Sequence, residues 1–466
     1  MACHVRAVSK LPEDMAGHVP TLQFSMRLLL SPVTAVTCNE QFEIIDNAAI
    51  GIENNCIAFI EKSTPELRRT FAPDETIGGE HLVALPGLVN THTHAAMSLL
   101  RGYADDMPLE EWLHQKIWPL EAHLNPDDVF IGTQLAIAEA LRGGTTCVAD
   151  MYHFYESGAK AYIESGIRAC PGGVLLGFLP QAQKRIANAI AFARDFRGAG
   201  DGRISPMLAP HSLYTCDKNH WRAMLDGAQG LGVGIQTHVS ETRREVKDVF
   251  DSWGATPVQT LKNIGALESP LMAAHCVHLD ERDFEIMQES TPIFGRTFRV
   301  LHNPTSNLKL ASGFAPVTEM LRREITVGIG TDGAASNNDL DMWEEMRLAA
   351  LIHKGVGNDP TAVSAREALQ MATIGGARCL GLDSQIGSLE VGKRADIAIL
   401  NFDAPHLQPR HNVVSHLVYA AKAGDVCATI VDGKILYRNG QLQTLDEAEI
   451  RDAAARIAER LVNAVH

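Results

Sequence analysis

The sequence predicts an α/β protein in which a (β/α)8 TIM barrel carries a small β-sandwich domain formed from both chain ends. Three observations predict this architecture. Eight short apolar segments alternate with helical stretches across the middle of the chain, strand-like runs recur near both termini, and histidines or an aspartate follow several of the eight segments. With 466 residues, the chain is long enough for a large barrel and a satellite domain.

The two chain ends are predicted to share one domain because both contain short alternating runs. Ala48–Ile52 and Val426–Val431 have the pattern of strands, and Asp432-Gly433 is a hairpin-turn dipeptide. The domain limits that follow are a disordered extension at residues 1–21, a composite β-sandwich at residues 22–84 and 390–445, the barrel at residues 85–389, and a C-terminal helix at residues 446–466.

The eight predicted barrel strands are short and apolar. They end or begin at Asn90–His94, Cys147–Met151, Arg168–Leu175, Ile204–Pro210, Val233–His238, Leu271–His275, Val300–His302 and Val327–Thr331. Helical stretches such as Asp127–Arg142 and Asp217–Leu231 lie between them. Active sites of such barrels lie at the carboxyl ends of the strands, so polar residues at these ends should meet in one site.

The composition is typical of a soluble globular enzyme. The formal net charge of −15 argues against nucleic acid or an anionic membrane as the main partner. The nine cysteines include no C-x-x-C pair, which indicates reduced thiols and a cytoplasmic location. We find no signal-peptide pattern and no apolar run of about 18 residues. We therefore expect a small-molecule substrate, with no nucleic acid and no membrane as partner.

Two histidines near the first barrel strand suggest a metal site. His92 and His94 would project from the same face of a β-strand, because side chains alternate along a strand. Imidazoles at this spacing can bind one divalent cation. His238, His275 and Asp332 follow three later strands. Each motif alone also fits a structural role, such as a polar turn or a core histidine, whereas their occurrence at several strand ends indicates one shared site.

These strand-end motifs resemble the amidohydrolase superfamily, in its cytosine-deaminase-like and chlorohydrolase-like branch. The resemblance covers nearly the whole chain past about residue 25. It implies that one divalent metal per subunit, usually Zn2+ in relatives, is bound by His92, His94, His238 and Asp332. His275 would lie beside the metal and hold the bound water and the substrate. Strand four ends in Ala209-Pro210-His211 and shows no sign of a bridging carboxylated lysine, so the two-metal variant is not expected.

Glu241 is predicted to be the general acid/base. It lies three residues past His238, beyond the strand end, and could lean over the metal. A metal with three imidazole ligands and one carboxylate leaves a position for water and lowers its pKa toward about 7. A nearby carboxylate is then needed to take the proton and deliver it elsewhere. Asp332 could also accept this proton. The alternative for Glu241 is a structural role at the N-terminus of the following helix.

A narrower resemblance, to the 5′-methylthioadenosine/S-adenosylhomocysteine deaminase family, rests on five segments. These are His92–Leu113, Ile117–Glu121, Ala209–Thr215, His302–Gly313 and Gly330–Asn338. The family implies that Glu121 binds the ribose 2′- and 3′-hydroxyls through charge-assisted hydrogen bonds. It also implies that Trp112 faces the base and that His211 lies near the sugar and its 5′-substituent. An arginine should help to hold this substituent. Arg168 and Arg185 are the candidates, and we assign Arg185.

The resemblance implies a zinc-dependent hydrolytic deaminase of adenine nucleosides that releases ammonia and the inosine-type product. In that reaction Glu241 would carry a proton from water to N1 of adenine, and His275 would stabilise charge on the oxygen. Three alternatives stay open: a hydrolase of another heteroaromatic C–N or C–Cl bond of the guanine, pterin or triazine type, an inactive metal-binding barrel, and a self-assembling barrel. A homodimer or homotetramer is implied. The segment Thr291–Phe298 is longer than expected and could alter a loop near the pocket.

Overall fold

The computed structural model of the chain describes residues 26–290 and 298–465. The predicted disordered extension and residues 291–297 of the long segment before the seventh barrel strand lie outside the described residues. Among the helices of the two described ranges, none combines the length and the hydropathy needed to cross a membrane.

Strands form three groups along the chain, near the N-terminus, in the middle and near the C-terminus. Their bounds are β1 (Arg27–Val36), β2 (Ile44–Glu53), β3 (Cys56–Lys62), β4 (Glu75–Ile77), β5 (Leu82–Pro86), β6 (Leu88–Thr93), β7 (Thr145–Tyr152), β8 (Arg168–Leu175), β9 (Met207–Pro210), β10 (Ile235–Val239), β11 (Leu271–His275), β12 (Phe298–His302), β13 (Thr326–Ile329), β14 (Ile397–Asn401), β15 (Val426–Val431), β16 (Lys434–Arg438) and β17 (Gln441–Leu442).

Helices fill the connections between barrel strands and end the chain. Their bounds are α1 (Pro65–Phe71), α2 (Leu109–Trp112), α3 (Trp118–Glu121), α4 (Pro126–Arg142), α5 (Tyr155–Ser165), α6 (Ala182–Asp195), α7 (Ala199–Gly202), α8 (Lys218–Leu231), α9 (Arg243–Trp253), α10 (Pro257–Asn263), α11 (Glu281–Glu289), α12 (Pro304–Lys309), α13 (Val317–Arg322), α14 (Ala334–Asn337), α15 (Met342–Gly357), α16 (Ala365–Met371), α17 (Ile374–Leu380), α18 (Val413–Tyr419) and α19 (Glu447–Val465). Asn125 caps α4 by accepting from the backbone of its first turn, where Pro126 costs no hydrogen bond.

Strands β6 to β13 form one sheet of eight strands in chain order, and every pair is parallel. The sheet curls into a nearly closed barrel, because residues after β13 bond back to the first strand. The Thr331 N–H donates to the His92 carbonyl (3.1 Å), and Asn90 Nδ2 donates to Thr331 Oγ1 (2.8 Å). Gly330 permits this approach, since a Cβ there would lie 2.8 Å from the His92 backbone. The predicted barrel is confirmed.

Burial along the barrel strands follows from their position. Strand β7 is buried at every residue, as expected for parallel strands covered on one face by helices and on the other by the barrel interior. Strand β9 is shorter than the prediction from Ile204 to Pro210. Pro206 has no N–H to donate, and Ile204 forms an isolated bridge with Ala169.

The strands near both chain ends form a second sheet in the order β17-β16-β15-β14-β5-β1-β2-β3, with β4 beside β1. Strand β14 pairs antiparallel with β5, where Ile399 lies opposite Ala84, so the C-terminal segment joins the N-terminal one as predicted. Asp432 and Gly433 form the predicted hairpin turn, with φ of 52° and 78°. This domain has its own apolar cluster, which includes Leu30, Ile50, Ile397 and Ile430. The numerical domain limits stay predictions.

Candidate active site

Five polar side chains from the strand ends converge at the carboxyl end of the barrel. His92, His238, His275 and Asp332 each offer one ligand atom, and these atoms all lie within 4.8 Å of one another. His94 joins them, because its Nε2 lies 3.3 Å from His238 Nε2 and 3.2 Å from Asp332 Oδ1. The structure thus brings together the four predicted ligands and His275.

Hydrogen bonds fix the orientation of three of these imidazoles. His238 Nδ1 donates to the His211 carbonyl (2.9 Å), and His275 Nδ1 donates to Asn307 Oδ1 (2.8 Å). His94 is held in the same way, through Nδ1, by a backbone carbonyl of β7. Each ring then turns its Nε2 toward the centre, which is how protein partners select the ligating nitrogen of a histidine.

Asp332 is oriented by two serine hydroxyls. Its Oδ2 accepts from Ser306 Oγ (2.6 Å) and Ser336 Oγ (2.9 Å), so Oδ1 faces the centre, 3.5 Å from His92 Nε2. The residue has a φ of 59°, a strained conformation that is common at functional sites. Burial would favour the neutral acid, but His92 and His94 hold the pKa of Asp332 well below its ordinary value. The carboxylate is therefore ionised.

The centre suits a cation better than a closed hydrogen-bonded cluster. Burial lowers the pKa of His92 to about 4 and that of His238 well below its ordinary value, so both rings are neutral. Both nitrogens of His92 are buried without a hydrogen-bond partner among the described residues. Burial opposes charge on His94 as well, but Asp332 raises its pKa to about 9, which shows how strongly this site attracts positive charge. Neutral imidazoles and one carboxylate are the donor set of zinc, so the residues fit a metal.

Glu241 lies beside this centre, and a serine holds one of its two carboxylate oxygens. Oε1 accepts from Ser312 Oγ (3.0 Å), and Oε2 lies 3.7 Å from His275 Nε2. The backbone N–H groups of Glu241 and the preceding residue both donate to the Glu245 carboxylate (2.6 and 3.0 Å). Burial raises the pKa of Glu241 above its ordinary value. Helix α9 begins only after its N-cap Thr242, so Glu241 lies outside the helix.

A narrow cleft of about 60 Å³ opens onto the centre, and we call it the inner cleft. One wall is the segment Leu109–Glu121, in which a π-helical turn, Leu113–Ile117, separates α2 from α3. Such turns are frequent at functional sites. Trp112 donates its indole N–H to the Ala104 carbonyl (3.0 Å), so only its ring is available to a ligand. The Glu121 side chain is 6% exposed, and its Oε1 has no partner among the described residues.

His211 borders the inner cleft directly beside the centre. Its ring centroid lies 4.5 Å from that of His238. Its Nδ1 lies 3.3 Å from the hydroxyls of Ser212 and Thr215. Burial lowers the pKa of His211 to about 3, so the ring is neutral. The His211 carbonyl therefore holds His238, a proposed metal ligand, and the His211 side chain borders the cleft.

A second cavity of about 660 Å³, which we call the outer cleft, shares part of the wall of the inner cleft. Arg185 lines it, and its Nε donates to the Pro180 carbonyl (3.0 Å). Arg168, the other arginine considered from the sequence, begins β8 at the opposite end of the barrel. Its guanidinium binds Asp396 there (2.7 Å). The structure removes Arg168 as a substrate contact, because the site lies at the carboxyl ends of the strands.

The sequence reasoning missed the side chains that orient Asp332, Glu241 and His275, and one tyrosine that borders the inner cleft. Most of them belong to two segments quoted for the family resemblance, which are rich in small polar residues directly after strands seven and eight. The tyrosine at the end of the second barrel strand could not be identified as functional, because a tyrosine at that position is equally typical of the hydrophobic core. The missed residues are Tyr152, Ser306, Asn307, Ser312 and Ser336.

Comparison with known proteins places the chain in a family. The amidohydrolase family model matches residues 83–436. A 5-methylthioadenosine/S-adenosylhomocysteine deaminase from Pelotomaculum thermopropionicum is 45% identical over 438 residues, which cover 94% of this chain and 99% of that relative.

Solved structures agree with the barrel. An adenosine deaminase from Xanthomonas campestris with bound zinc has a TM-score of 0.89 and 38% identity, and the match covers 94% of this chain and 99% of that one. An atrazine chlorohydrolase from Arthrobacter aurescens has a TM-score of 0.84 at 24% identity, with 92% and 100% coverage, and shows the shared fold alone. These matches confirm the predicted family, the barrel and a metal-dependent hydrolytic deaminase. The chain belongs to the amidohydrolase family, among relatives named 5-methylthioadenosine/S-adenosylhomocysteine deaminase.

Proposed function

We propose that the protein is a zinc-dependent deaminase of adenine nucleosides that acts on 5′-methylthioadenosine, S-adenosylhomocysteine and adenosine. One observation carries the proposal: Glu121 has a buried oxygen without a partner among the described residues, in the cleft that also contains Glu241 and the metal centre. A carboxylate accepts hydrogen bonds only, so it suits a vicinal diol that donates two. A free base would leave this charge buried and unpaired, which is unfavourable.

The similarity to known proteins supports the same substrate class. The relative from P. thermopropionicum is named for 5-methylthioadenosine and S-adenosylhomocysteine, and the structure from X. campestris is that of an adenosine deaminase. The inner cleft is a narrow space of about 60 Å³ beside the metal centre, and the outer cleft next to it has a volume of about 660 Å³, within the usual range for small-molecule sites. The outer cleft adds space in which 5′-substituents of different lengths could lie.

The proposed ligands of one zinc ion per subunit are His92, His94, His238 and Asp332. When bound, the metal supplies Lewis-acid chemistry and lowers the pKa of water. The chain contributes the orientation of the ligands. Serine hydroxyls occupy Oδ2 of Asp332 and leave Oδ1 toward the centre, and Nδ1 hydrogen bonds turn Nε2 of His94 and His238 inward.

Glu241 is placed to move the proton that starts the reaction. As water adds to C6 of adenine, Glu241 Oε2 takes a proton from it and delivers this proton to N1, which makes the ring more electrophilic. Oε2 is the available oxygen because Ser312 occupies Oε1.

His275 acts on the oxygen that adds to C6. Its Nε2 lone pair accepts a hydrogen bond from the attacking water, since Asn307 holds Nδ1–H. His275 Nε2 takes the second water proton and then stabilises negative charge on that oxygen until it passes the proton on. The second water proton reaches the exocyclic amino group, which leaves as ammonia, and C6 becomes a carbonyl.

His211 and Arg185 are proposed to contact the 5′ side of the substrate. His211 borders the inner cleft, whereas Arg185 lines the outer cleft. A free guanidinium edge there could bind the carboxylate of a long 5′-substituent. A homodimer or homotetramer, a cytoplasmic location and the absence of nucleic-acid or membrane binding stay predictions.

A substrate panel tests the proposal. The purified zinc-loaded protein is incubated with adenosine, 5′-methylthioadenosine, S-adenosylhomocysteine, adenine and guanine, and ammonia release is followed. We expect turnover of the three nucleosides and little of the two bases. A protein that deaminates guanine, or that releases chloride from a chlorotriazine, while the nucleosides stay unchanged would contradict the proposal and favour the alternative hydrolase.

A further inference from the structure

Tyr152, the last residue of β7, places a phenol hydroxyl in the inner cleft that the mechanism above does not use. The residue is 4% exposed, and its hydroxyl is buried without a hydrogen-bond partner among the described residues. Its ring centroid lies 6.4 Å from that of His94. The next residue, His153, has its Nε2 3.8 Å from Glu121 Oε2. Tyr152 therefore borders both the metal centre and the Glu121 carboxylate.

A buried hydroxyl without a partner is uncommon in a folded protein and calls for a ligand. Burial first, and then the charge of Glu121 and the closeness of its carboxylate to the phenol hydroxyl, raise the pKa of Tyr152 well above its ordinary value. The hydroxyl therefore keeps its proton and is a hydrogen-bond donor. A hydrogen-bond donor, the Tyr152 hydroxyl, and an acceptor, Oε1 of Glu121, thus belong to residues that line the same cleft. Both atoms lack a partner among the described residues.

Glu121 alone cannot satisfy a ribose diol. A carboxylate takes the two hydroxyl hydrogens but offers no hydrogen to the hydroxyl oxygens. Trp118, Val174 and Leu176 line the neighbouring wall with apolar surface, and the polar neighbour of Glu121 there besides Tyr152 is His153, 3.8 Å from Oε2. A diol bound there with no donor would lose hydrogen bonds that it makes in water, which weakens binding.

We propose that Tyr152 is a substrate-contacting specificity residue whose hydroxyl donates to one of the two ribose hydroxyl oxygens while Glu121 accepts from the diol. The proposal rests on the proposed function and adds a second ribose contact to it. The competing explanation is that Tyr152 donates to Glu121 itself and only orients that carboxylate.

Tyr152→Phe, assayed on three nucleosides, separates the two explanations. The zinc-loaded enzyme is given adenosine, 2′-deoxyadenosine and 3′-deoxyadenosine, and kcat and KM are measured for each. We expect kcat/KM for adenosine to fall about three- to tenfold. The loss should vanish for one of the two deoxynucleosides, the one that lacks the hydroxyl that Tyr152 contacts.

Tyr162→Phe is the matched control, because it removes the same atom from a buried tyrosine outside the cleft. Tyr162 donates to Asp150 Oδ2 (3.0 Å), so this variant should unfold at a lower temperature. It should change kcat/KM for all three nucleosides by the same factor. Tyr152→Phe removes a hydroxyl that has no hydrogen-bond partner among the described residues, so its melting temperature should not fall.

Equal losses of Tyr152→Phe on all three nucleosides, with a lower melting temperature, would overturn the proposal in favour of a role through Glu121. Unchanged kcat/KM on adenosine would overturn it as well. A wild-type enzyme inactive on every adenine nucleoside would overturn the proposed function and this contact together, so the two failures are distinguishable.

Discussion

The two ends of the barrel each contain a buried cluster of charged groups, and the clusters differ in how well they are satisfied. At the amino end, Arg168 donates from Nε and Nη2 to the two oxygens of Asp396 (2.7 and 3.0 Å), and Asp396 also accepts from the Asp432 N–H (2.8 Å). The side chains of Arg168 and Asp396 are 2% and 1% exposed. This cluster joins the barrel to the second sheet and needs no further partner.

At the carboxyl end the buried polar groups are left incomplete. Both nitrogens of His92, Glu121 Oε1 and the Tyr152 hydroxyl have no hydrogen-bond partner among the described residues. His275 and Asp332 also have positive φ, of 74° and 59°. Unsatisfied groups and backbone strain both destabilise a fold, so their presence beside the ligand cluster indicates groups held ready for a metal and a substrate.

The largest expected effect is a loss of kcat from Glu241→Gln at the carboxyl end of the barrel. The amide keeps the shape and can still accept from Ser312, but it cannot take a proton, so kcat should fall about 10²- to 10⁴-fold. Metal content by elemental analysis and the melting temperature should stay close to wild type. Near-normal turnover by a fully metal-loaded variant would refute the assigned role.

The next largest effect is a loss of stability, expected from Asp396→Asn at the amino end of the barrel. This change leaves Arg168 buried without its anionic partner, which should lower the free energy of unfolding by about 3–5 kcal/mol. Denaturant unfolding measures the loss, and kcat of the folded, metal-loaded fraction should be unchanged. The exposed Asp195→Asn variant, which breaks the surface pair with Arg194, is the control and should change little. A loss of kcat without a loss of stability would contradict the comparison.

A pH-dependent loss of stability is expected from His353 on α15. Burial lowers its pKa to about 4, and its Nε2 lies 3.4 Å from that of His302. Because the unfolded chain titrates near about 6.5, it binds the proton first, so stability is full above about pH 6.5 and falls toward pH 4, by at most about 3 kcal/mol. Urea unfolding of wild type and His353→Gln from neutral to acid pH measures the difference. If the free energies of unfolding of the two proteins changed with pH in parallel, the assigned role of His353 would be wrong.

The smallest effect is expected from Ser312→Ala, which releases Oε1 of Glu241. Losing a hydrogen bond to a charged group should lower kcat about tenfold with little change in KM. The bond favours the ionised carboxylate, so its loss should raise the pKa of Glu241 further. Activity needs the ionised form and is lost as pH falls through this pKa, so the acid limb of kcat should move to higher pH. An unchanged pH profile would show that Ser312 does not hold Glu241.

The strand-end residues could be predicted from the sequence, whereas their supporting contacts could not. His92, His238 and Asp332 were predictable because the carboxyl ends of parallel barrel strands must meet, whatever the details of packing. Arg168 was considered as a substrate contact by residue type alone. Its position at the start of a strand places it at the wrong end of the barrel, and the partner that satisfies it, Asp396, lies 228 residues away.

The sequence by itself determined the alternation of strands and helices and the pairing of the chain ends, because these follow from local periodicity and strand order, while its resemblance to the amidohydrolase superfamily implied the candidate ligands. The tertiary structure decided which nitrogen of each imidazole faces the centre, which oxygen of Glu241 is free and which hydroxyl stays unpaired. These outcomes depend on contacts between distant segments, such as Ser312 with Glu241, 71 residues apart. Such hydrogen bonds are set by three-dimensional packing and leave no periodic trace in the chain.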